Sequence, residues 1–466
     1  MEKRLITDQN TKHHFKKYFA KYNFVVAVSK FNSNYDSIKK FIQENNCKDI
    51  ILHKQQSNIA NLIDQSLFAI ISGGTISHEV NSRGKKMLII CSRNSNRAPR
   101  LYNSYHVFKD DFELFVAGDK IPIYLSENNF IDISQAKPNF FPRVFNFFYL
   151  LYFSSIFTIK INHYKYLLKQ LSFIILKKIK DKQFDIVIVH HIDLLPVLSY
   201  LKSIMNFKLV VNLHEYYPKE FDDQKNWSKM GEYWDNLCEY FFDDVDLFLS
   251  VNKSISDSFI ENFNLVHKTF LTFPNVKPFE KLKIINNDKK EISLIHHGAA
   301  IPSRNIEAMI KLMDFLPENY VLYLMLLERN PEYYNSLKTF QSSRIVFIEP
   351  VSFDEITRVL NKFDIGLYYL TPSNFNEKNS LPNKFFEFIQ ARLCIAISPV
   401  KEMKNIVQDY NLGIISDEFN INDLANKIKS LARKDILNFK MNVDSCSYRF
   451  SLDFHKESVL KEIKKL

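Results

Sequence analysis

The stretch DIGLYYLTPSNFNEKNSLPNKFFEFIQARLCIAISP, Asp364 to Pro399, decides how the chain is read. It opens with a short apolar run over 365–370, which has the length and continuity of a buried strand. A loop rich in Asn and Ser follows over 371–380. Pro382 then suits the first turn of a helix, where its fixed φ fits and its missing N–H is not needed. Phe385, Phe386, Phe388 and Ile389 supply the buried side of that helix, and 395–397 returns as a strand. The unit is therefore strand, polar loop, helix N-terminus, strand. Free N–H groups and the helix dipole make such an N-terminus an anion site. Lys384 falls in the first turn, where a cation is unfavourable for the helix alone and becomes favourable once a phosphate lies beside it. Glu387, three residues on, reaches the same mouth. The same residues also fit an ordinary α/β helix in which neither side chain meets a ligand.

The segment LPNKFFEFIQARLCIAIS resembles the donor-nucleotide segment of GT-B glycosyltransferases, close to glycosyltransferase family 4. The resemblance implies that Glu387 bonds the ribose hydroxyls of a sugar nucleotide. The usual family signature pairs two glutamates with seven residues between them. Here Asn379 stands eight positions before Glu387, Glu377 is out of register, and Arg392 replaces a common glycine.

Composition bounds the reading. A chain of 466 residues holds two or three domains. Hydrophobic content of 46% with 24% charge belongs to a globular protein rather than a disordered one. The net charge of +10 suits phosphorylated substrates, an anionic membrane surface or nucleic acid. The basic residues are spread along the chain without a nucleic-acid motif, so nucleic acid is the weakest of the three. Cys47, Cys91, Cys238, Cys394 and Cys446 have no paired spacing, which argues for a reducing compartment and against a zinc site. The N-terminus has no apolar signal-peptide core, and a cytoplasmic protein is expected. The longest apolar run, 144–159, is shorter than the ~20 residues a spanning helix needs.

Outward from the deciding stretch, strands alternate with helices along most of the chain, the signature of parallel Rossmann-like units. Residues 1–84 suggest a small α/β extension, with strands at 24–28, 49–52 and 67–71 and helices at 35–44 and 59–65. Its SGGTISHE element has Gly73 and Gly74 to cradle a phosphate and Glu79 spaced to reach a ribose, and resembles half of a nucleotide-binding domain; with only about three strands, a degenerate structural add-on is the favoured reading over a working second site. Residues 85–273 read as a first Rossmann-like domain, 274–291 as a linker, 292–435 as a second domain, and 436–466 as C-terminal helices returning to the first.

Within the first domain SRNSNRAPR follows a buried strand at 85–91 and resembles the start of the family's first βαβ unit, which implies that Arg97 and Arg100 face an anionic acceptor or the donor phosphates; a solvated or helix-capping role fits them equally. His190 and His191 follow a strand at 184–189. HEYYPKEF begins just past a strand at 207–212, and ligands sit beyond the carboxyl ends of strands in open α/β sheets. His214 and Glu215 are thus candidate catalytic residues, since a histidine holds or exchanges a proton near neutral pH. A histidine fixed by backbone hydrogen bonds is the alternative. The segment resembles an acceptor-facing element of the same family. Between these motifs, 164–180 has apolar residues at helical spacing with lysines between them, a pattern shared by helices on an anionic leaflet and by core helices with a solvated face.

In the second domain a strand at 292–296 is followed by HGAAIPSRN. Gly298 lets the backbone approach a ligand, and Arg304 at a helix start suits a bidentate clamp on a diphosphate. The element resembles the family's donor-phosphate loop. By the same resemblance the backbone at Pro350 and Val351 holds the base, and the tail helix at 454–465 packs on the first domain.

The expectation is an α/β protein of GT-B architecture: two Rossmann-like domains facing a cleft, with the small N-terminal α/β extension. The resemblance implies sugar transfer from a nucleotide diphosphate sugar, UDP or GDP leading, to a surface-glycan or lipid-linked acceptor, with retention, no metal and no separate cofactor. Contact with the inner face of the cytoplasmic membrane would accompany a lipid-linked acceptor. A nucleotide-sugar epimerase or hydrolase of the same fold, and a non-catalytic nucleotide-sugar-binding subunit, remain alternatives.

Overall fold

The computed structural model describes residues 24–28, 50–54, 84–91, 95, 98–134, 170–286 and 290–466. The SGGTISHE element with Gly73, Gly74 and Glu79 lies outside them, as do Arg97, the apolar run 144–159, the start of the basic segment, and the expected elements at 35–44, 59–65 and 67–71. The chain divides into two compact units at Gly84. In the first, β1 (Phe24–Val28) and β2 (Ile50–Lys54) pair in parallel, Phe24 opposite Ile50.

The second unit contains two parallel sheets. One has seven strands: β3 (Lys86–Cys91), β4 (Glu113–Gly118), β5 (Phe130–Asp132), β6 (Ile186–Val189), β7 (Lys208–Leu213), β8 (Leu247–Ser250) and β9 (Phe270–Thr272). Their spatial order is β5-β4-β3-β6-β7-β8-β9. Helices α1 (Pro99–Phe108), α2 (Gln170–Ile179), α3 (Leu195–Ile204), α4 (Trp227–Phe241) and α5 (Lys253–Asn262) link these strands. The strands are apolar throughout, β6 reading IVIV with all four residues buried, because helices cover both faces of such a sheet.

The other sheet has six strands: β10 (Ile292–Ala300), β11 (Tyr320–Glu328), β12 (Ile345–Ile348), β13 (Ile365–Tyr368), β14 (Cys394–Ile397) and β15 (Gly413–Ile415). Their order is β12-β11-β10-β13-β14-β15. Its helices are α6 (Ile306–Leu312), α7 (Pro331–Lys338), α8 (Ile356–Leu360), α9 (Phe375–Lys378), α10 (Asn383–Gln390), α11 (Lys401–Tyr410) and α12 (Ile421–Lys429). Two more, α13 (Arg433–Cys446) and α14 (Leu452–Ile463), close the chain. α14 is tied to the end of α1 by ion pairs, Lys464 to Asp111 at 2.7 Å and Lys456 to Asp110 at 3.2 Å.

Each sheet reverses direction once, between β3 and β6 in the first and between β10 and β13 in the second. At such a switch point neighbouring loops leave in opposite directions and a crevice opens beyond the carboxyl ends of the strands. One apolar cluster joins the sheets: Val107 and Phe108 of α1, Phe273, Val276, Val459 and Ile463 share it with Phe385, Phe386, Phe388 and Ile389 of α10. Each of those phenylalanines contributes about 1.5–3 kcal/mol by burial. A Cβ on Gly366 of β13 would lie 2.6 Å from the Phe388 ring, so only glycine lets α10 lie that close to the sheet.

Several expected boundaries shift. HGAA is not a loop: β10 continues through it to Ala300, because β11 offers a hydrogen-bonding partner along its whole length. The Asn-rich loop 371–380 contains the helical turn α9, capped by the Asn374 side chain accepting from the Glu377 N–H. Pro382 is the cap of α10 rather than its first residue.

Candidate functional site

Around the β10/β13 switch point a cationic pocket forms. Lys384 is the second residue of α10, whose cap Pro382 offers no side-chain acceptor to the first-turn N–H groups. Its ammonium sits 4.6 Å from the ring centre of Tyr368, at the end of β13. Arg304, in the turn after β10, donates from Nη1 to the same Tyr368 hydroxyl at 3.4 Å. Gly298 has φ +128°, and a Cβ there would stand 3.1 Å from Lys384 Nζ, so the backbone of β10 forms the pocket wall. Among the described residues neither Arg304 nor Lys384 has a carboxylate within ion-pair distance. Burial, then the Arg304 charge, holds the Lys384 ammonium down to about 7, while Glu387 opposes the shift. Two cations and an uncapped helix start thus converge where, among the described residues, no carboxylate stands within ion-pair distance of them.

Glu387 lies one turn further along α10 and is buried. Its Oε2 stands 3.3 Å from His297 Nε2, which completes no hydrogen bond. Burial raises the Glu387 carboxyl above its usual range, against the pull of Lys277 and Lys384. Burial, with Lys384 and Lys277, holds His297 down to about 3, so its imidazole is neutral. Pro350 and Val351 lie just past β12, with Val351 packed on the apolar cluster. Two residues on, the Phe353 carbonyl accepts from Lys277 Nζ.

Around the β3/β6 switch point a histidine cluster forms instead. His190 ends β6 and His214 follows β7; their ring centres are 5.3 Å apart, and His191 is 6.2 Å from His214. Ser104 Oγ of α1 lies 3.3 Å from His190 Nε2. His214 hydrogen-bonds the His190 backbone, whereas its Nδ1 is buried without a partner. Burial, then Arg100 and the neighbouring histidines, pushes His214 well below its usual value. His190 falls to about 3 by burial, then His191 and Arg100. Glu215 is half-buried and acts on Arg100, whose pKa burial lowers. The structure therefore brings together Arg304, Lys384, Glu387 and Gly298 in one place and His214, Arg100, His190 and His191 in another, while Pro350 and Val351 precede the Phe353 that Lys277 touches.

The two places are linked by side chains. Asn103 of α1 donates to Val276 O at 2.8 Å and Asn275 Oδ1 at 3.1 Å, and Asn275 donates to Asn383 Oδ1 at the start of α10. At the other rim Asn376 Oδ1 accepts from the Tyr216 N–H at 2.8 Å, and Asp222 Oδ1 accepts from the Phe375 N–H at 3.0 Å. Asn379, which stands where the family resemblance would have a first glutamate, donates to Phe375 O, and its own carbonyl accepts from Asn252. Sequence reasoning missed Lys277, Tyr368, His297 and Asn376. Only the doubled histidine at 296–297 and the doubled tyrosine at 368–369 signalled anything, and neither has a spacing that names a role. Among the described residues no group of His, Cys, Asp and Glu forms a metal site.

No family model and no curated protein sequence matches this chain. Solved structures do. Anabaena Alr3699/HepE in complex with UDP-glucose matches with a TM-score of 0.59 at 12% identity, over 82% of this chain and 100% of that one. The E. coli trehalose-6-phosphate structure bound with UDP-2-fluoro glucose gives 0.56 at 10% identity, over 82% and 99%. A trehalose-6-phosphate synthase, solved with bisubstrate glycomimetics of glycosyltransfer with retention, gives 0.53 at 12%, over 82% and 99%. The two parallel sheets, of seven and six strands, are those of the GT-B fold.

Proposed function

We propose that this chain is a glycosyltransferase that moves a sugar from a nucleoside diphosphate sugar to a glycan or lipid-linked acceptor. The observation that carries the reading is the cationic pocket of Arg304, Lys384 and the α10 N-terminus, unneutralised among the described residues and adjoining Glu387. A diphosphate supplies the missing negative charge, and Glu387 then lies where a ribose would follow it. UDP and GDP are the leading donors, and the UDP and UDP-glucose of the Anabaena structures support the first.

In the transfer step the bond between the anomeric carbon and the β-phosphate oxygen breaks, leaving its electron pair on the diphosphate. The acceptor oxygen bonds to the same carbon, and its proton passes to an oxygen of the leaving diphosphate. Arg304, Lys384 and the helix N-terminus stabilise the charge that develops on that diphosphate. In this reading no metal is required for the charge. In this reading the buried His214, whose Nδ1 has no hydrogen-bond partner, orients the reacting groups from the other side of the crevice. Glu215 balances Arg100 at the same mouth. Retention of configuration is part of the reading and is supported by the synthase of like fold. Residues 1–84 are assigned no part in this chemistry, with 85–273, 274–291, 292–435 and 436–466 as acceptor domain, linker, donor domain and closing helices. A lipid-linked acceptor would hold the protein at an anionic leaflet, a contact that the exposed Lys177 and Lys178 of α2 favour.

Thermal-shift titration with UDP, GDP, ADP and CMP, each with its sugar conjugates, tests the reading. A ligand at a hundred times its Kd stabilises by about 2.7 kcal/mol through mass action. One nucleoside diphosphate is expected to raise the midpoint clearly, and its sugar conjugate to be consumed when acceptor is added. No shift with any of them at millimolar concentration sinks the proposal. One observation favours a non-catalytic nucleotide-sugar-binding subunit: Asn379 in place of a carboxylate, its amide spent on Phe375 O. Glycan synthesis left intact by His214→Ala would support that reading.

A further inference from the structure

We infer that Lys277 is the residue that sets base discrimination, by pinning the Phe353 segment against the interdomain connection. The inference rests on the nucleotide-binding reading above and names a residue that reading does not use.

Lys277 is 5% exposed, which is rare for a lysine without a carboxylate partner, and it has none within ion-pair distance among the described residues. Its ammonium donates to the Phe353 carbonyl and lies 4.0 Å from the centre of the Phe353 ring, a cation–π contact. Both ends of the Lys277 backbone are fixed. Its carbonyl accepts from the Leu452 N–H at 2.8 Å, where α14 begins, and the preceding Val276 carbonyl accepts from Asn103. The lysine is thus an arm reaching the loop after β12: 352–355 is exposed, follows a four-residue edge strand and is held locally by the Ser352–Glu355 hydrogen bonds, and Lys277 ties it to the interdomain connection.

Its position in the crevice gives the arm a purpose. Arg304 and Lys384 share Tyr368; Lys384 and Lys277 both act on Glu387; Lys277 then touches Phe353, whose ring faces Tyr102 of α1 at 6.2 Å. Phosphate, ribose and base would follow one another along that line, which brings the base to the segment from Pro350 to Phe353. Backbone groups in such a loop read a base edge only if the loop is held still, since a misplaced donor or acceptor leaves a buried polar group unpaired. Burial lowers the Lys277 pKa, opposed by Glu387 and Glu280, so keeping this cation between the loop and Glu387 costs stability that an apolar residue would not.

Isothermal titration of the full chain decides the matter, with the four nucleoside diphosphates and with inorganic pyrophosphate as probes. Lys277→Met keeps the stem and removes the charge. The ratio of affinities between the preferred base and the next best is expected to fall about tenfold, the size of one charge-assisted hydrogen bond. Pyrophosphate, held by Arg304 and Lys384, is expected to change by less than about threefold. Phe353→Leu, at an exposed site that tolerates change, is expected to lower the same ratio by about threefold and to be non-additive with Lys277→Met. That variant decides the question alone if Lys277→Met fails to fold. An unchanged ratio in both variants, or an equal weakening of pyrophosphate binding, overturns the inference and leaves nucleotide binding standing. A wild-type chain that binds no nucleoside diphosphate overturns both.

Discussion

The β3/β6 and β10/β13 switch points are the same place in two copies of one architecture, yet the side chains there do opposite things. At the second, Arg304 and Lys384 have no carboxylate within ion-pair distance among the described residues, and only Glu387 opposes the lowering of the Lys384 pKa. At the first, Arg100 feels the nearby Glu215 much as Lys384 feels Glu387, but the side chains around it are His190 and His214, held neutral by burial. Topology supplies a crevice beyond the strand ends in both cases, and the residues on the following turns determine its charge. In the proposed function the second switch point holds an anion and the first faces uncharged groups.

If that division of labour is right, the two halves fail differently when altered. The largest effect is expected from His214→Ala, which removes a buried acceptor from the neutral half. Turnover should fall by about a thousandfold, within the range for a positioned hydrogen-bonding or proton-handling group, with the donor Kd changed less than about threefold. A large rise in donor Kd would place His214 in the binding half and break the comparison. Lys384→Met is expected to show the converse. Nucleoside diphosphate affinity should fall by about a hundredfold, the upper end of the range for a charge-assisted hydrogen bond because the ammonium would meet the doubly charged diphosphate directly, and titration calorimetry measures it. A fall under about threefold would mean that the cationic pocket is not the anion site.

The same lysine gives the comparison a pH axis. In the free protein Lys384 has its pKa lowered to about 7 from the ordinary 10.5. Between those values the folded chain binds fewer protons at this group than the unfolded chain, so this group makes stability rise with pH across that window. A bound diphosphate reverses the preference, because the charged form now has a partner. Diphosphate affinity is therefore greatest below pH 7 and is expected to fall by up to about tenfold per unit above it, with proton uptake visible as a buffer-dependent heat. Lys384→Arg should flatten this profile. His190, already neutral above about 3, predicts no matching change in the histidine cluster over pH 5 to 9.

The sequence carried the architecture because the strands are buried on both faces. Runs such as MLIIC and IVIV have one plausible fate, and their alternation with helices sets a parallel order. It singled out Lys384 because a cation at a helix start is locally unfavourable and so asks for an explanation, and Arg304 through the motif that carries the family resemblance. What stayed hidden depends on contacts distant in the chain. Lys277 meets Phe353, 76 residues away, and Asn376 meets Tyr216, 160 away; neither has a local conflict to advertise it. Arg392 is the reverse case. As a non-glycine at φ +59° it looks costly, yet its guanidinium bonds Asp444 at 2.7 Å and Glu280 O at 2.8 Å, long-range partners that outweigh the local strain.

The smallest expected effect concerns how the halves are held together. Asn376 accepts from the Tyr216 N–H at 2.8 Å and donates to the Tyr216 carbonyl at 3.3 Å, so one side chain of the anion half clasps the backbone two residues after His214. Phe375 beside it packs on the Tyr216 ring at 5.1 Å. These bonds are partly buried, and each contributes about 0.5–1.5 kcal/mol net. Asn376→Ala removes both without touching either cluster. Diphosphate affinity, which depends on the anion half alone, should be unchanged, while turnover, which needs both halves in register, should fall about threefold to fivefold. The two readouts must separate for the clasp to be a link between halves. A fall in diphosphate affinity equal to the fall in turnover would show instead that Asn376 merely supports the loop that carries it.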